Sequence, residues 1–360
     1  MRSKKEKNIV GLDLGSHSIK AVELKTKKGK GHLPEFELKG MGYEILPHDA
    51  IVEGTVIDTM AVAETIKLVL DENKISKKNV IISISGNSVI IKKIALPSME
   101  TEELAESIVW EAKHNIPYPY EETNVDYAIL RPTEHMDEKN LDILLVAAKK
   151  EKISNYSNAI SQARKNLVAV DVDVFALQNA YEVNYNEQYS TRTVAIINIG
   201  ANITNLVVIE KGHPQLFRDI TIGGAIFAEN ISKELAVEYD DAEKLLKGIP
   251  VENIRADQYQ YILDMNIQNL IDEIDKTLSF FETGDADKKK IETIYLSGGL
   301  SRLNGLTGIV EQKFQVQTEL FNPFRRISYN ENKFDSIYFD EMAPLFGVVT
   351  GLAIRTADKF

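Results

Sequence analysis

One short pattern occurs twice in this chain and constrains its fold more than any other feature. An apolar, strand-like run ends in a polar residue, an apolar residue and a glycine, first in residues 9–15 and again in residues 194–200. A second strand-like run follows each glycine. The two copies lie roughly 185 residues apart, and a two-fold repeat of that length predicts a duplicated domain rather than a solenoid.

The first glycine turn suits the binding of phosphate. Gly15 permits a tight turn whose backbone amides can point at an anion. Ser16 and Ser18 add hydroxyl donors, and Lys20 on the returning strand can reach a β- or γ-phosphate. Asp13 ends the first strand and can hold hydrated Mg²⁺, which prefers one or two carboxylates together with phosphate and water. Taken alone, the same residues also fit an ordinary hairpin with a polar edge.

The second glycine turn repeats this arrangement with small differences. Asn198 stands where the first copy has Asp13, and Thr204 follows at a slightly different spacing. Two such turns that face each other across a cleft would clamp the phosphates of one ATP with its Mg²⁺. The predicted nucleotide ligands are Gly15, Ser16, His17, Ser18, Lys20, Gly200, Ala201, Asn202 and Thr204, with Asp13 and, through water, Asn198 at the metal.

A third glycine-rich element lies near the end of the chain. The strand-like run of residues 291–296 is followed by Ser297, Gly298 and Gly299. A strand that ends in Gly-Gly lets the backbone approach a flat ligand closely. An ordinary strand-to-helix turn is the alternative, and the position after both phosphate turns favours the ligand.

Composition excludes several classes of function. The net charge of −12 argues against a general nucleic-acid surface, which needs clustered Lys and Arg. The chain has no cysteine, hence no disulfide or thiolate nucleophile, and its six histidines lack zinc-site spacing. We expect no signal peptide and no apolar stretch of the ~18 residues that span a bilayer. The basic residues 2–7 fit either contact with anionic lipid or a solvated terminus.

A block between the two copies has a pattern of its own. Leu104, Ile108 and Ala112 recur at four-residue spacing and predict a helix that ends before Pro117. Two strand-like runs and a second helix follow. The block therefore predicts a small inserted strand–helix–strand–strand module at residues 97–165.

Two phosphate turns followed by a late Gly-Gly resemble the actin, Hsp70 and sugar-kinase superfamily. The resemblance implies an α/β, duplicated actin-like (ribonuclease H-like) fold with two lobes around a nucleotide cleft. In that superfamily the third element packs on adenosine, and a helix starts near the ribose. The matching residues here are Gly224, Glu229, Lys233, Gly298, Gly299 and Arg302. By position Asp173 resembles the catalytic acid in the connection between the lobes, although a helix N-cap or a solvated strand end also explains it.

The inserted block narrows the resemblance. Trp110-Glu111-Ala112, Ile116-Pro117-Tyr118-Pro119 and Asp126-Tyr127, together with residues 144–148 and 170–177, are similar to the PilM family of type IV pilus assembly. The division protein FtsA, with a similarly placed insert, is a relative outside it. The resemblance implies an ATP-binding protein that is cytoplasmic and peripheral at the inner face of the cytoplasmic membrane, reached only through a partner.

The resemblance also implies partners and a division of the chain. PilM-like proteins grip the N-terminal cytoplasmic tail of the bitopic protein PilN, in a groove between an SHS2-type insert and the first actin-like subdomain. Other inner-membrane platform proteins and self-association are further expectations. The implied subdomains are 1–96, 166–190 and 340–360 for the first, 97–165 for the insert, 191–225 and 290–339 for the second, and 226–289 for a helical unit beside the nucleotide.

The second turn departs from the superfamily pattern. Actin-like ATPases generally carry Asp where this chain has Asn198. An amide cannot act as a base and binds Mg²⁺ less strongly than a carboxylate, so we expect ATP binding with slow hydrolysis or none. The alternatives are an FtsA-like division or filament-forming ATPase, a small-molecule kinase of the same fold, and a scaffold with a vestigial site. The kinase would need an acceptor base and a substrate pocket, and the C-terminal end is short for an FtsA-like membrane anchor.

Overall fold

The computed structural model describes residues 9–27, 34–130, 140–283 and 290–355, so the basic residues 2–7 lie outside the described part. Its strands, in chain order, are β1 Ile9–Leu14, β2 Ser18–Lys27, β3 Glu35–Ile45, β4 Ile51–Val52, β5 Thr55–Val56, β6 Asn79–Ile84, β7 Val89–Pro97, β8 Thr123–Leu130, β9 Asn140–Lys149, β10 Asn166–Val172, β11 Thr193–Ile199, β12 Thr204–Glu210, β13 His213–Ile220, β14 Thr293–Ser297 and β15 Gln317–Leu320. Its helices are α1 Thr59–Glu72, α2 Thr101–Asn115, α3 Lys150–Gln162, α4 Asp173–Asn184, α5 Asn186–Tyr189, α6 Gly224–Leu235, α7 Tyr239–Leu246, α8 Ala256–Thr283, α9 Leu306–Phe314, α10 Ser336–Met342 and α11 Gly347–Ile354, with 3₁₀ turns at Tyr120–Glu122, Gly299–Arg302 and Ala343–Phe346.

Two five-stranded sheets with the same internal order form the two lobes. The first sheet runs β10-β6-β1-β2-β3 and the second runs β13-β12-β11-β14-β15. In each sheet the first three strands of the half are antiparallel neighbours, joined by short turns. The other two strands of each half add in parallel on the far side of the first strand. This equivalence confirms the predicted duplicated α/β fold.

Two helices join the lobes at the base of the molecule. The helices α4 and α11 pack so closely that a Cβ on Gly351 would lie 1.7 Å from the carbonyl oxygen of Ala176. One continuous apolar cluster draws Ile81 from the first sheet, Ile196 from the second and Leu352 from α11. This shared core holds the two sheets together on one side of the molecule. On the other side, the carboxyl ends of their central strands face a common space between the lobes.

The inserted module has the predicted order of elements but different ends. The strands β7, β9 and β8 form an antiparallel sheet, and Leu104, Ile108 and Ala112 of α2 pack on it. The first strand already begins at Val89, before the predicted boundary. At the other end, α3 buries Tyr156 in the core of the first lobe instead of in the insert. We therefore assign the insert to residues 89–149.

The expectation that no apolar stretch is long enough to span a bilayer is wrong for one segment. Ser336–Ile354 has a mean hydropathy of 1.4 and is long and apolar enough to cross a membrane, and it is the one such segment in the described ranges. In the structure it forms α10, a 3₁₀ turn and α11, and 72% of its apolar window is buried. Its side chains, Phe339 and Phe346 among them, fill the core of the first lobe.

Candidate functional site

A cleft of about 1360 Å³ separates the two lobes. Sixteen of the residues predicted from sequence line it, which brings together side chains from both halves of the chain. They are Asp13, Gly15, Ser16, His17, Ser18, Lys20, Asp173, Asn198, Gly200, Ala201, Asn202, Gly224, Glu229, Gly298, Gly299 and Arg302. The two glycine turns thus face one common space, as the duplication predicts.

The first glycine turn joins β1 to β2 and carries an ion pair. The Gly15 amide donates to the carbonyl of Ser18 at 3.1 Å, which closes the turn. Asp13 and Lys20 are direct neighbours across the two strands, and the Lys20 Nζ lies 3.0 Å from an Asp13 carboxylate oxygen. Both side chains are mostly buried, at 12% and 19% exposure for Lys20 and Asp13. The turn therefore places a cation and an anion side by side on the wall of the cleft.

The second glycine turn has the same length and a neutral pair. The Gly200 amide donates to the carbonyl of Ile203 at 3.0 Å. Asn198 lies opposite Asn205, and its Nδ2 donates to the Asn205 Oδ1 at 3.0 Å. The residue equivalent to Lys20 is therefore Asn205, which the sequence analysis missed because the register across a hairpin is not visible in the spacing of single residues.

Two predicted ligands lie outside the cleft. Thr204 is fully buried, and its hydroxyl donates to the carbonyl of Ile222 at 2.7 Å. It holds the second turn against the segment before α6. Lys233 is exposed in the last turn of α6, away from the cleft lining. Neither side chain therefore faces a ligand in the cleft.

The third element closes the wall of the cleft beside the second turn. Gly298 has a φ of +87°, its amide donates to the carbonyl of Pro344 at 2.8 Å, and a Cβ there would lie 2.4 Å from the carbonyl oxygen of Ile199. A Cβ on Gly299 would meet nothing within 4 Å. The backbone at this point therefore needs glycine at one position and leaves a flat, open surface at the next.

The start of α6 holds the second turn in place. The amides of Gly224 and Ala225 donate to the carbonyls of Gly200 and Ala201, at 3.0 and 2.8 Å. These first helical N–H groups, which would otherwise lack a partner within the helix, are thus used inside the protein. Glu229, one turn further along α6, is exposed and faces the cleft.

The acid predicted in the connection between the lobes is the first residue of α4. Burial and the neighbouring Asp13 carboxylate raise the pKa of Asp173 to about 6, against the opposite effect of the Ser83 and Ser85 hydroxyls. A more distant carboxylate, Asp219, also raises it. A buried carboxylate with another carboxylate beside it in the cleft fits a divalent cation, which would relieve the repulsion. No group of three or more acidic or histidine ligands is preassembled in the described ranges.

Two contacts in the wall of the cleft, one within the first lobe and one between the lobes, involve residues that were not predicted from sequence. Lys152 of α3 is buried and its Nζ donates to the carbonyl of Ser85 at 2.5 Å, and burial lowers the pKa of this amine. The predicted ligand His17 lies 3.2 Å from Glu243 of α7, and burial lowers its pKa. The sequence places Lys152 only at the start of a predicted helix, and that pattern does not reveal where the side chain points.

Comparison with known proteins agrees with this architecture. The family model of the type IV pilus assembly protein PilM matches residues 11–357. The structure superposes on the PilM–PilN type IV pilus biogenesis complex with a TM-score of 0.84 and 28% identity, over 97% of this chain and 98% of that chain. The cell division protein FtsA of Bacillus subtilis (strain 168) is 22% identical over 262 residues, which are 67% of this chain and 57% of FtsA. MreB5 of Spiroplasma citri bound to ADP has a TM-score of 0.51 at 14% identity, over 97% and 95% of the two chains.

Two equivalent lobes around a cleft with paired glycine turns give the chain an actin-like fold, as the resemblance predicted. Within that class, the family model covers nearly the whole chain, including the insert. The chain therefore belongs to the PilM family of type IV pilus assembly proteins.

Proposed function

We propose that this chain binds ATP in its cleft and holds the N-terminal cytoplasmic tail of a PilN-like membrane protein through its insert. The observation that carries the proposal is the match to the PilM–PilN complex, which extends over 97% of this chain at 28% identity. The insert and both lobes fall within the matched length. The protein would then work in the cytoplasm, at the inner face of the cytoplasmic membrane, reached through its partner.

The geometry of the cleft supports ATP as the ligand. The amides of the two glycine turns, with Ser16, Ser18 and Lys20, can surround the phosphates from opposite sides. The open backbone at Gly299, with Arg302 and Glu229 nearby, suits the base and ribose. The fold is shared with a protein whose structure holds ADP.

The acidic residues of the cleft support the binding of a metal ion, together with slow hydrolysis of ATP or none. Asp13 would hold Mg²⁺ and its water shell, with Asn198 as a weaker partner through water. Asp173 has a pKa raised to about 6, so near neutral pH it can accept a proton or orient a water molecule. The second turn offers an amide where a carboxylate would bind Mg²⁺ more strongly and support hydrolysis better. We therefore propose that ATP acts as a structural ligand or switch more than as an energy source.

The peptide would bind between the insert and the first lobe. An extended peptide commonly binds by main-chain pairing at a sheet edge together with side-chain pockets. The insert offers the edge strands β7 and β8 on either side of β9. Other inner-membrane platform proteins, and further copies of this chain, are additional partners that we propose for the remaining surface.

Fluorescence anisotropy tests the proposed partner. A synthetic peptide of the N-terminal cytoplasmic tail of a PilN-like protein carries the dye, and a scrambled peptide of the same composition is the control. Saturable binding of the first peptide alone supports the proposal. Equal binding of both peptides, or binding of neither in the presence and absence of ATP, would contradict it.

A further inference from the structure

A relay of hydrogen bonds connects the second glycine turn to the chain segment that leads into the insert. The Asn198 Nδ2 donates to the Asn205 Oδ1 at 3.0 Å, and the Asn205 Nδ2 donates to the Asp219 Oδ1 at 2.8 Å. The other carboxylate oxygen of Asp219 accepts the backbone amide of Gly86 at 2.5 Å. Asp219 lies on β13 of the second lobe, whereas Gly86 lies between β6 and β7 of the first, so the last bond crosses between the lobes.

The segment around Gly86 rests directly on the second turn. Gly86 has a φ of +80°, and a Cβ at this position would lie 2.9 Å from the Cδ1 of Ile203 in that turn. The Gly86 carbonyl accepts the amide of Val89, the first residue of β7. A displacement of the second turn therefore reaches the first strand of the insert through two contacts, one polar and one apolar.

The chain leaves the insert at the same place. Lys149 ends β9 and its amide donates to the carbonyl of Ser88 at 3.2 Å. Three residues later, the Nζ of Lys152 donates to the carbonyl of Ser85 at 2.5 Å. The segment that enters the insert and the segment that leaves it are therefore hydrogen-bonded to each other. Together they attach the insert to the first lobe beside the cleft.

The described residues of the first glycine turn and its flanking strands form no equivalent of this relay. At the position that corresponds to Asn205 the first lobe carries Lys20, which is paired with Asp13 within the same hairpin. The strand partner of Lys20 on β3 is Tyr43, where the second lobe has Asp219 opposite Asn205. Between the two described turns, the relay therefore distinguishes the second, and Asp219 is the residue that directs it to the other lobe.

We propose that Asp219 is a positioning residue that couples occupancy of the second phosphate turn to the position of the insert. A phosphate oxygen near Asn198 competes with the Asn205 Oδ1 for the Nδ2–H of Asn198, which changes the orientation of Asn205 and the hydrogen bond from Gly86 to Asp219. Nucleotide and tail peptide then alter each other's affinity by the same factor, as linkage requires. This inference rests on the proposed function, because it takes ATP and the peptide as the two ligands.

The test compares peptide affinity with and without a non-hydrolysable ATP analogue in three full-length proteins. In the wild type we expect the analogue to change the peptide Kd by about 5-fold or more. Asp219→Asn keeps an acceptor for Asn205 and loses the one for Gly86, so the ratio should fall to within about two-fold of one while each ligand still binds. Gln215→Ala is the matched control, since it removes an exposed 3.0 Å contact from Lys93 that also joins β13 to the insert, but at β7 and away from the cleft. It should keep the wild-type ratio.

A wild-type ratio in Asp219→Asn would overturn the inference, and so would a ratio of one in the wild type when both ligands bind. Failure of either ligand to bind the wild type would instead contradict the proposed function. Hydrogen exchange on the wild type provides a measurement without a variant. Addition of the ATP analogue should change the exchange rate of the Gly86 amide, and an unchanged rate there would also overturn the inference.

Discussion

The two glycine turns share a backbone and differ in their chemistry. In both, the glycine amide closes the turn and the flanking strands pair in the same register. The first turn carries the ion pair of Asp13 and Lys20, closed within the first lobe. The second carries the neutral pair of Asn198 and Asn205, which continues to Asp219. The two copies share the shape of the turn, while the first turn carries charge and the second is linked to the other lobe.

Removal of charge from the first turn should have the largest effect. Lys20→Ala deletes an amine that faces the cleft, so the proposed ATP complex would lose a charge-assisted hydrogen bond. Such a bond is worth about 1.5–3 kcal/mol, and we expect ATP affinity in calorimetry to fall about 10- to 100-fold. Lys233→Ala, which removes an exposed lysine outside the cleft, is the control and should bind like the wild type. An unchanged Kd in Lys20→Ala would remove Lys20 from the site.

Neutralisation of the acid beside the first turn should stabilise the free protein. Because the pKa of Asp173 is raised to about 6, the folded state binds more protons than the unfolded chain between about pH 4 and 6. The free energy of unfolding therefore falls as pH rises through this window. Asp173→Asn should be about 2 kcal/mol more stable at pH 7.5 and lack this dependence. Urea denaturation across this pH range measures both effects, and Asp340→Asn, at an exposed position, is the control. Identical profiles for the wild type and Asp173→Asn would contradict the raised pKa of Asp173.

A carboxylate in the second turn should make it resemble the first. Asn198→Asp supplies a stronger partner for Mg²⁺, which we expect to be worth about 1 kcal/mol, or about five-fold in the Mg²⁺-dependent part of the ATP affinity. Asn202→Asp places the same charge at another position of the same turn and is the matched control. Calorimetric titration of ATP with Mg²⁺ and with EDTA measures the Mg²⁺-dependent part of the affinity in each variant. Equal Mg²⁺ dependence in both variants would show that position 198 does not face the metal.

Substitution of Thr204 should have the smallest effect on ATP affinity. Thr204→Val leaves the carbonyl of Ile222 without its 2.7 Å donor in a buried site. We expect a loss of about 1 kcal/mol in the free energy of unfolding, with the ATP Kd within about two-fold of the wild type. A large loss of ATP affinity at unchanged stability would return Thr204 to the ligand set.

The sequence predicted what is local and missed what depends on register and topology. The glycine turns and the duplicated order follow from short buried strands and tight turns, which local patterns specify. The equivalence of Lys20 and Asn205 depends on the pairing of β11 with β12, and the ends of the insert depend on which sheet Val89–Pro97 joins. Lys152 and Asp219 escaped notice because their partners lie 67 and 133 residues away along the chain. Contacts of that range are set by the fold and leave no pattern in the neighbouring residues.

Calorimetric titration of ATP with Mg²⁺ into the purified, nucleotide-free protein tests the central claim most directly. Two turns that face one cleft predict one ATP per chain, with affinity reduced by chelation of Mg²⁺ and by Lys20→Ala. Absence of binding heat from the folded, nucleotide-free protein, confirmed by equilibrium dialysis with labelled ATP, would contradict the claim.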